Sequence, residues 1–251
     1  TITTQERIHI ETEINVFNCR ISSKRFFLAM VFSAGLLSSL LSPTVLGAYP
    51  DKPIKVIVPF APGGGTDLVA RTLAVPMSET LRQPIVIDNK PGGSTIIGTD
   101  ALAKSAPDGY TLVVATLAHA VNPSLKAKLP YSQDKDFAPV ILVGVSPNIV
   151  VVSADSPYKT FAEFLAAAKA NPGKLSYASQ GGGTSAHLAG ELFNSMAGTK
   201  LTHVPYKGAG PALTDVIGGQ VDVMFATASA VGSLVDAGKL RALAVTTLTR
   251  S

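Results

Sequence analysis

Beyond position 48 the chain alternates short Val/Ile-rich runs with longer stretches in which apolar residues recur every three or four positions. Gly, Pro and Asn cluster at the joins. Runs of the first kind predict strands and those of the second amphipathic helices. The strands fall at 54–58, 85–87, 111–115, 139–145, 148–152, 175–178, 221–226 and 243–245, with a further short one starting at Leu201. The helices fall at 67–81, 95–105, 161–169, 184–196, 211–217 and 229–236. Most of the strands lack polar/apolar alternation, which is the pattern of parallel strands covered on both faces. The order β-α-β-α predicts an open, mainly parallel α/β sheet architecture. Pro76 inside the first helix cannot donate to the carbonyl of Thr72, so a kink is expected there.

Two strands in tandem, 139–145 and 148–152, are separated only by Ser146 and Pro147. A strand leaving one sheet and entering another with almost no connection marks a crossing between lobes, placed at 144–147. The expected division is a first lobe at 49–143, a second at 144–245, and the start of a return to the first at 246–251. The first lobe would then lack its C-terminal part.

The residues before 49 have a different pattern. Lys24 and Arg25 precede an uncharged stretch that runs from Phe26 through Leu36, Leu37, Leu40 and Leu41 to Pro43, then Gly47 and Ala48. A basic start, a short apolar core and small residues at the end predict a cleavable secretory signal peptide at 24–48. The alternative is a membrane anchor, because no charge follows until Asp51, but Ser33, Gly35, Ser38, Ser39, Ser42 and Pro43 dilute the stretch and favour cleavage. Residues 1–23 read as an upstream extension outside the fold. Four of the 21 basic and three of the 17 acidic residues precede Tyr49, which leaves a net charge of about +3 on the remainder. That charge is too small and dispersed for a nucleic-acid footprint. Cys19 is the sole cysteine, so the mature part would carry no disulfide.

Three segments could carry chemistry. Pro59 to Asp67, containing Gly63-Gly64-Gly65-Thr66, lies between a strand and a helix, where unpaired N–H groups and the helix dipole favour an anion. The alternative is a tight turn with Thr66 or Asp67 as helix cap. No GxxxxGK[ST] or correctly placed GxGxxG is present. The second segment, Ser179 to His187, repeats the design with Gly181-Gly182-Gly183-Thr184-Ser185. Two such turns, one per lobe, would face each other at the carboxyl ends of their sheets and hold a carboxylate with backbone donors, aided by the hydroxyls of Thr184 and Ser185. In the third, His203 to Gly208, Tyr206 or Lys207 could close over an anionic ligand or form a plain surface turn. A hydrolytic or transferase alternative would recruit Ser185 and His187, but residues two apart on a helix diverge and no GxSxG elbow exists. The four histidines have no metal-ligand spacing, and no cofactor is expected.

Tyr49-Pro50-Asp51-Lys52-Pro53-Ile54, Pro62 to Asp67, Ala106-Pro107-Asp108-Gly109-Tyr110-Thr111, Asp136-Phe137-Ala138-Pro139, His187-Leu188-Ala189-Gly190-Glu191-Leu192-Phe193 and His203 to Gly208 together resemble the substrate-binding proteins of tripartite tricarboxylate transporters, the Bug family. The resemblance implies a type II periplasmic-binding-protein (Venus-flytrap) fold, a periplasmic location and no enzymatic activity. It also implies a monomer that delivers a small carboxylate to a membrane permease, with a sensor feeding a membrane kinase as a variant of that role. Motif by motif it assigns ligand contacts to Phe60, Gly64, Gly65, Thr66 and Asp67 in the first lobe. In the second it assigns Gln180, Gly181, Gly182, Gly183, Thr184, Ser185 and His187. Tyr206, Lys207 and the strand-end residues Thr116 and Thr227 complete the expected set. Three positions depart from the family pattern: Ser94-Thr95-Ile96 replaces a Gly-Gly-Asn type turn, Gly182 replaces a polar residue, and Phe225-Ala226-Thr227 lacks an acidic residue. Without that acid, a bound ammonium would be desolvated with no partner, so the ligand is expected to lack a free α-amino group.

Overall fold

The computed structural model describes residues 48–248, and the expected leader and extension lie outside them. The described elements are β1 (Ile54–Val58), α1 (Gly65–Leu81), β2 (Ile85–Asn89), α2 (Ile96–Ala103), β3 (Thr111–Val113) and α3 (Leu117–Leu125). There follow β4 (Asn148–Ser153), α4 (Phe161–Ala170), β5 (Ser176–Ser179), α5 (Ser185–Ala197), β6 (Thr202–Pro205), α6 (Ala209–Ile217), β7 (Val223–Thr227), α7 (Ala228–Asp236) and β8 (Leu240–Val245). No helix among the described residues is long and apolar enough to cross a membrane.

The elements form two sheets from separate stretches of chain. The first has the order β2-β1-β3 and is parallel throughout. The second has the order β6-β5-β7-β4-β8, in which β5 pairs in parallel with β6 and β7 while β4 runs antiparallel to β7 and β8. The Val-rich run of β4 is buried on both faces, which erases alternation whichever way its neighbours run. The direction of β4 was therefore not readable from its pattern.

Local chemistry explains some of the element ends. α4 opens with a capping box in which Thr160 Oγ1 accepts the Glu163 N–H while the Glu163 carboxylate accepts that of Thr160. α5 ends on Gly198 in the left-handed region. α1 continues through Pro76 to Leu81. The motif residues ahead of β1 and β3 tie those strands together at their amino ends. There Tyr49 Oη donates to the Gly109 carbonyl at 2.8 Å, Tyr110 Oη to Asp51 Oδ1 at 2.6 Å, and Lys52 Nζ meets Asp108 Oδ2 at 3.0 Å.

Two expectations fail. Residues 139–145 form no strand, and Val140, Ile141 and Leu142 are 78–80% exposed. The run is apolar enough for a strand, yet no described strand pairs with it. Conversely, α3 was not foreseen, because Pro123 sits in its nine residues. Its buried Asn122 donates to the Ser94 carbonyl at 3.0 Å, a tertiary contact that holds the short helix in place. Where the chain enters and leaves the second sheet, Asn148 and Thr246 lie side by side, with Thr246 N–H and Oγ1 donating to the Asn148 carbonyl at 3.0 and 3.1 Å.

Candidate functional site

Because β1, β2 and β3 are parallel, the turns after them all emerge at one edge of the first sheet. The turns after β5, β6 and β7 likewise share one edge of the second. These two edges meet. Ala61 N–H donates to the Lys207 carbonyl at 2.9 Å, directly joining the turn after β1 to the turn after β6. Absence of side chains permits the approach: a Cβ at Gly208 would stand 2.9 Å from Ala61 N and one at Gly210 2.8 Å from the Pro62 carbonyl oxygen. A Cβ at Gly65 would overlap Ser229 Oγ and lie 3.0 Å from Thr227 Oγ1. Further along the edge, Ser94 stands beside Gly181 and Gly182, and the side chains of Val121, Asn122 and Leu125 on α3 border Gly183.

In the first turn, Gly64 occupies the cap position of α1 with no side-chain cap bond. The expected caps, Thr66 and Asp67, lie inside the helix. Asp67 is buried and fully engaged: it accepts from Gly63 N–H at 3.0 Å, Asn89 Nδ2 at 2.9 Å and Arg71 Nε at 3.0 Å. Burial alone would raise its pKa, but the hydrogen bonds from Arg71, Gly63 and Asn89 outweigh that and hold the carboxyl below its ordinary value. Asn89 also donates to the Phe60 carbonyl at 3.1 Å, while the Phe60 side chain packs in the core with Val58 and Ala70. Asp67 and Phe60 therefore shape the turn from behind. The N–H groups of Gly64, Gly65 and Thr66 are left without an acceptor among the described residues.

The second turn has the same plan. Gly181 and Gly183 take φ of +124° and +76°, conformations that residues with a Cβ rarely adopt. Thr184 Oγ1 donates to the Gly181 carbonyl at 2.7 Å, and Gly183 N–H donates to His187 Nδ1 at 3.1 Å. That bond fixes the unprotonated nitrogen of the imidazole. Ser185 Oγ donates to Asn148 Oδ1 at 3.3 Å, so Ser185 and His187 are each bonded elsewhere and do not form a nucleophile–base pair. The N–H groups of Gly182, Ser185 and Ala186 remain without an acceptor among the described residues. They lie at the positive end of α5, where no acidic residue occupies the first turn. Gln180 Oε1 is buried and unpartnered.

The remaining expected residues divide. Tyr206 does not reach toward the junction with its hydroxyl, which donates to Asp215 Oδ2 at 2.6 Å; burial and that carboxylate push its pKa up to about 12. Lys207 contributes its carbonyl to the contact with Ala61, and the residue is exposed. Thr116 and Thr227 precede α3 and α7 at the facing edges, with Thr227 against Gly65. Sequence reasoning missed Arg71, Asn89, Asn122, Ser179 and His203, all of which hold the turns. Arg71, four residues after Asp67 on a helix, carried a readable signal. Ser179 and His203 stood within the quoted segments without an assigned role, and Asn89 and Asn122 are joined to the turns only by the fold.

The profile described as "Tripartite tricarboxylate transporter family receptor" (TctC) matches residues 69–251. A UPF0065 protein from the tcbD-tcbE intergenic region of Pseudomonas sp. (strain P51) is 42% identical over 205 residues, 82% of this chain and 61% of the relative. Protein BugT of Bordetella pertussis is 40% identical over 216 residues, 85% of this chain and 66% of BugT. The chain thus spans somewhat under two thirds of the length of both relatives. Among solved structures, Rpa4515 of R. palustris with adipate superposes with a TM-score of 0.78 at 37% identity, covering 80% of this chain and 68% of that one. MatC (Rpa3494) from Rhodopseudomonas palustris with bound malate gives 0.74 at 36%, with coverage of 80% and 69%. The periplasmic binding protein BugD gives 0.74 at 36%, with coverage of 80% and 68%. The fold is that of the periplasmic binding proteins, and these family members are solute receptors, not enzymes.

Proposed function

Because the chain belongs to the tripartite tricarboxylate transporter receptor family, we propose that it captures a small carboxylate between its two sheets in the periplasm and delivers it to the membrane permease of such a transporter. Each sheet is the centre of one lobe, and the lobes close about the segments at 144–147 and Thr246. The observation that carries this reading is the pair of facing turns with unpartnered N–H groups: Gly64, Gly65 and Thr66 on one side, and Gly182, Ser185 and Ala186 on the other. Such groups at helix N-termini bind anionic oxygens without a cationic side chain. Adipate and malate, bound in two neighbours, are acids of this kind.

The contacts made to the acid on closure supply the binding energy, and no bond is broken. The Ala61–Lys207 backbone hydrogen bond and the glycine contacts beside it support a closed arrangement in which the acid is gripped from both sides. The ligand carries no free α-amino group. Asp67 is consumed by Arg71, Asn89 and Gly63, and Asp215 by Tyr206, so neither is free to receive an ammonium.

A thermal-shift and calorimetry series with adipate, malate, and the pairs succinate/aspartate and glutarate/glutamate tests the reading. At 100 times its Kd, an acid that binds the folded state stabilises it by about 2.7 kcal/mol. We expect at least one non-amino acid to raise Tm and each amino partner to bind more weakly. No shift with any of them would overturn the reading, and a consistent preference for the amino partner would overturn the ligand class.

A further inference from the structure

Resting on that reading of the two turns, we infer that Ser179 and His203 are positioning residues: their shared hydrogen bond holds the second glycine turn in the shape that aims the Gly182, Ser185 and Ala186 N–H groups at the ligand. Ser179 ends β5 and is fully buried. Its Oγ accepts the Gly181 N–H at 3.0 Å and shares a 2.6 Å hydrogen bond with His203 Nε2 on the neighbouring strand β6. The Gly181 carbonyl lies 3.3 Å from the same oxygen. Gly181 is thus gripped on its N–H by Ser179 and on its carbonyl by Thr184, at a residue whose φ of +124° would otherwise be one choice among many.

The imidazole is itself held on both faces. Its ring centroid lies 4.9 Å from Tyr177 and 4.3 Å from His187, and His187 anchors the far end of the turn by accepting the Gly183 N–H. Tyr177 is fixed in turn by a 2.5 Å hydrogen bond to Glu191 on α5. The titratable groups around His203 are therefore Tyr177, His187 and Glu191. Burial, and then His187, lower the His203 pKa while Glu191 opposes them, so the ring is neutral at neutral pH. A neutral ring takes part in the Ser179 bond with no buried positive charge beside the turn. A phenyl ring at this position would keep the stack but offer Ser179 nothing, whereas a glutamine would keep a hydrogen-bonding group.

The test compares the full chain with its S179A, H203F and H203Q variants, with adipate and malate as probes in calorimetry and with hydrogen exchange of the Gly181 amide in the unliganded protein. Loss of one buried positioning hydrogen bond is expected to weaken probe binding about tenfold in S179A and H203F. H203Q should stay within about threefold of the parent chain. Gly181 exchange should accelerate in S179A and H203F and stay slow in H203Q. Parent-like binding and exchange in H203F would overturn the inference, as would an H203Q loss equal to that of H203F. If H203F does not fold, S179A, a smaller change, decides. If neither acid binds the parent chain, the carboxylate-receptor reading fails by itself, and the Gly181 exchange rates alone decide the positioning role.

Discussion

The two sheets present equally elaborate turns to each other but rest on very different foundations. Behind the second, two clusters fill both faces. Val151, Ala178, Leu213, Val216 and Met224 belong to one, and Val152, Phe164, Tyr177, Val223 and Phe225 to the other. Behind the first, the buried cluster is smaller: Val58, Phe60 and Ala70, with Ile87 and Val114 packed against it. Leu68, Val75, Val86 and Ile97 are exposed, as is most of the run Val140 to Val145. The shape of the first turn therefore rests on polar locking by Asp67, Arg71 and Asn89, while the second turn is set into a packed core.

The largest effect should come from breaking the better-packed side. Phe164 is fully buried, with its ring centroid 5.6 Å from Phe193 and 5.8 Å from Tyr158. Phe164→Ala should cost about 3–5 kcal/mol in denaturant unfolding. On the other side, Asp67→Ala should cost about 1–3 kcal/mol, because the part-buried donors of Gly63 and Asn89 lose the buried carboxylate that accepts from them. The folded pKa of Asp67 lies below its unfolded value. Its contribution is therefore present above the unfolded pKa of about 3.8 and is lost as pH falls through the lower folded value. An acid-unfolding titration of Asp67→Ala beside the parent chain should show the two stabilities converging at low pH.

Gly210→Ala probes the junction alone. The new Cβ would lie 2.8 Å from the Pro62 carbonyl oxygen only while the edges are in contact. Overpacking of this kind typically costs 1–3 kcal/mol, so calorimetry with a panel acid should show about tenfold or greater weakening. The smallest effect is expected from V140S combined with I141S, at residues almost fully in solvent. Stability should change by no more than about 0.5 kcal/mol, while light scattering during heating should fall as an exposed apolar run is interrupted. A large loss of stability in that double variant would show that the run packs against something in solution, and the contrast between the two sheets would have to be redrawn.

Signals carried within a few residues were legible in the sequence. The strand–glycine turn–helix joins at 59–67 and 179–187, the helices around them and the alternation of elements follow from periodicity and turn chemistry, which depend on near neighbours. Pairing was not legible. The runs at 139–145 and 148–153 have similar composition, yet only the second is a strand, because only it lies between β7 and β8. Roles within the site were hidden for the same reason. Asp67 and Tyr206 were expected to meet a ligand on the strength of their motifs, and the fold gives each a side-chain partner that the motifs did not reveal. Asn122 had no motif at all, and His203 stood in one that assigned it no role. By itself the sequence determined where backbone donors would lack a helical partner, since glycine turns and helix starts do this locally. Only the tertiary structure decided which side chains hold those donors in place, because Ser94 and Asn122, or Ser179 and His203, are brought within hydrogen-bonding distance by the fold alone.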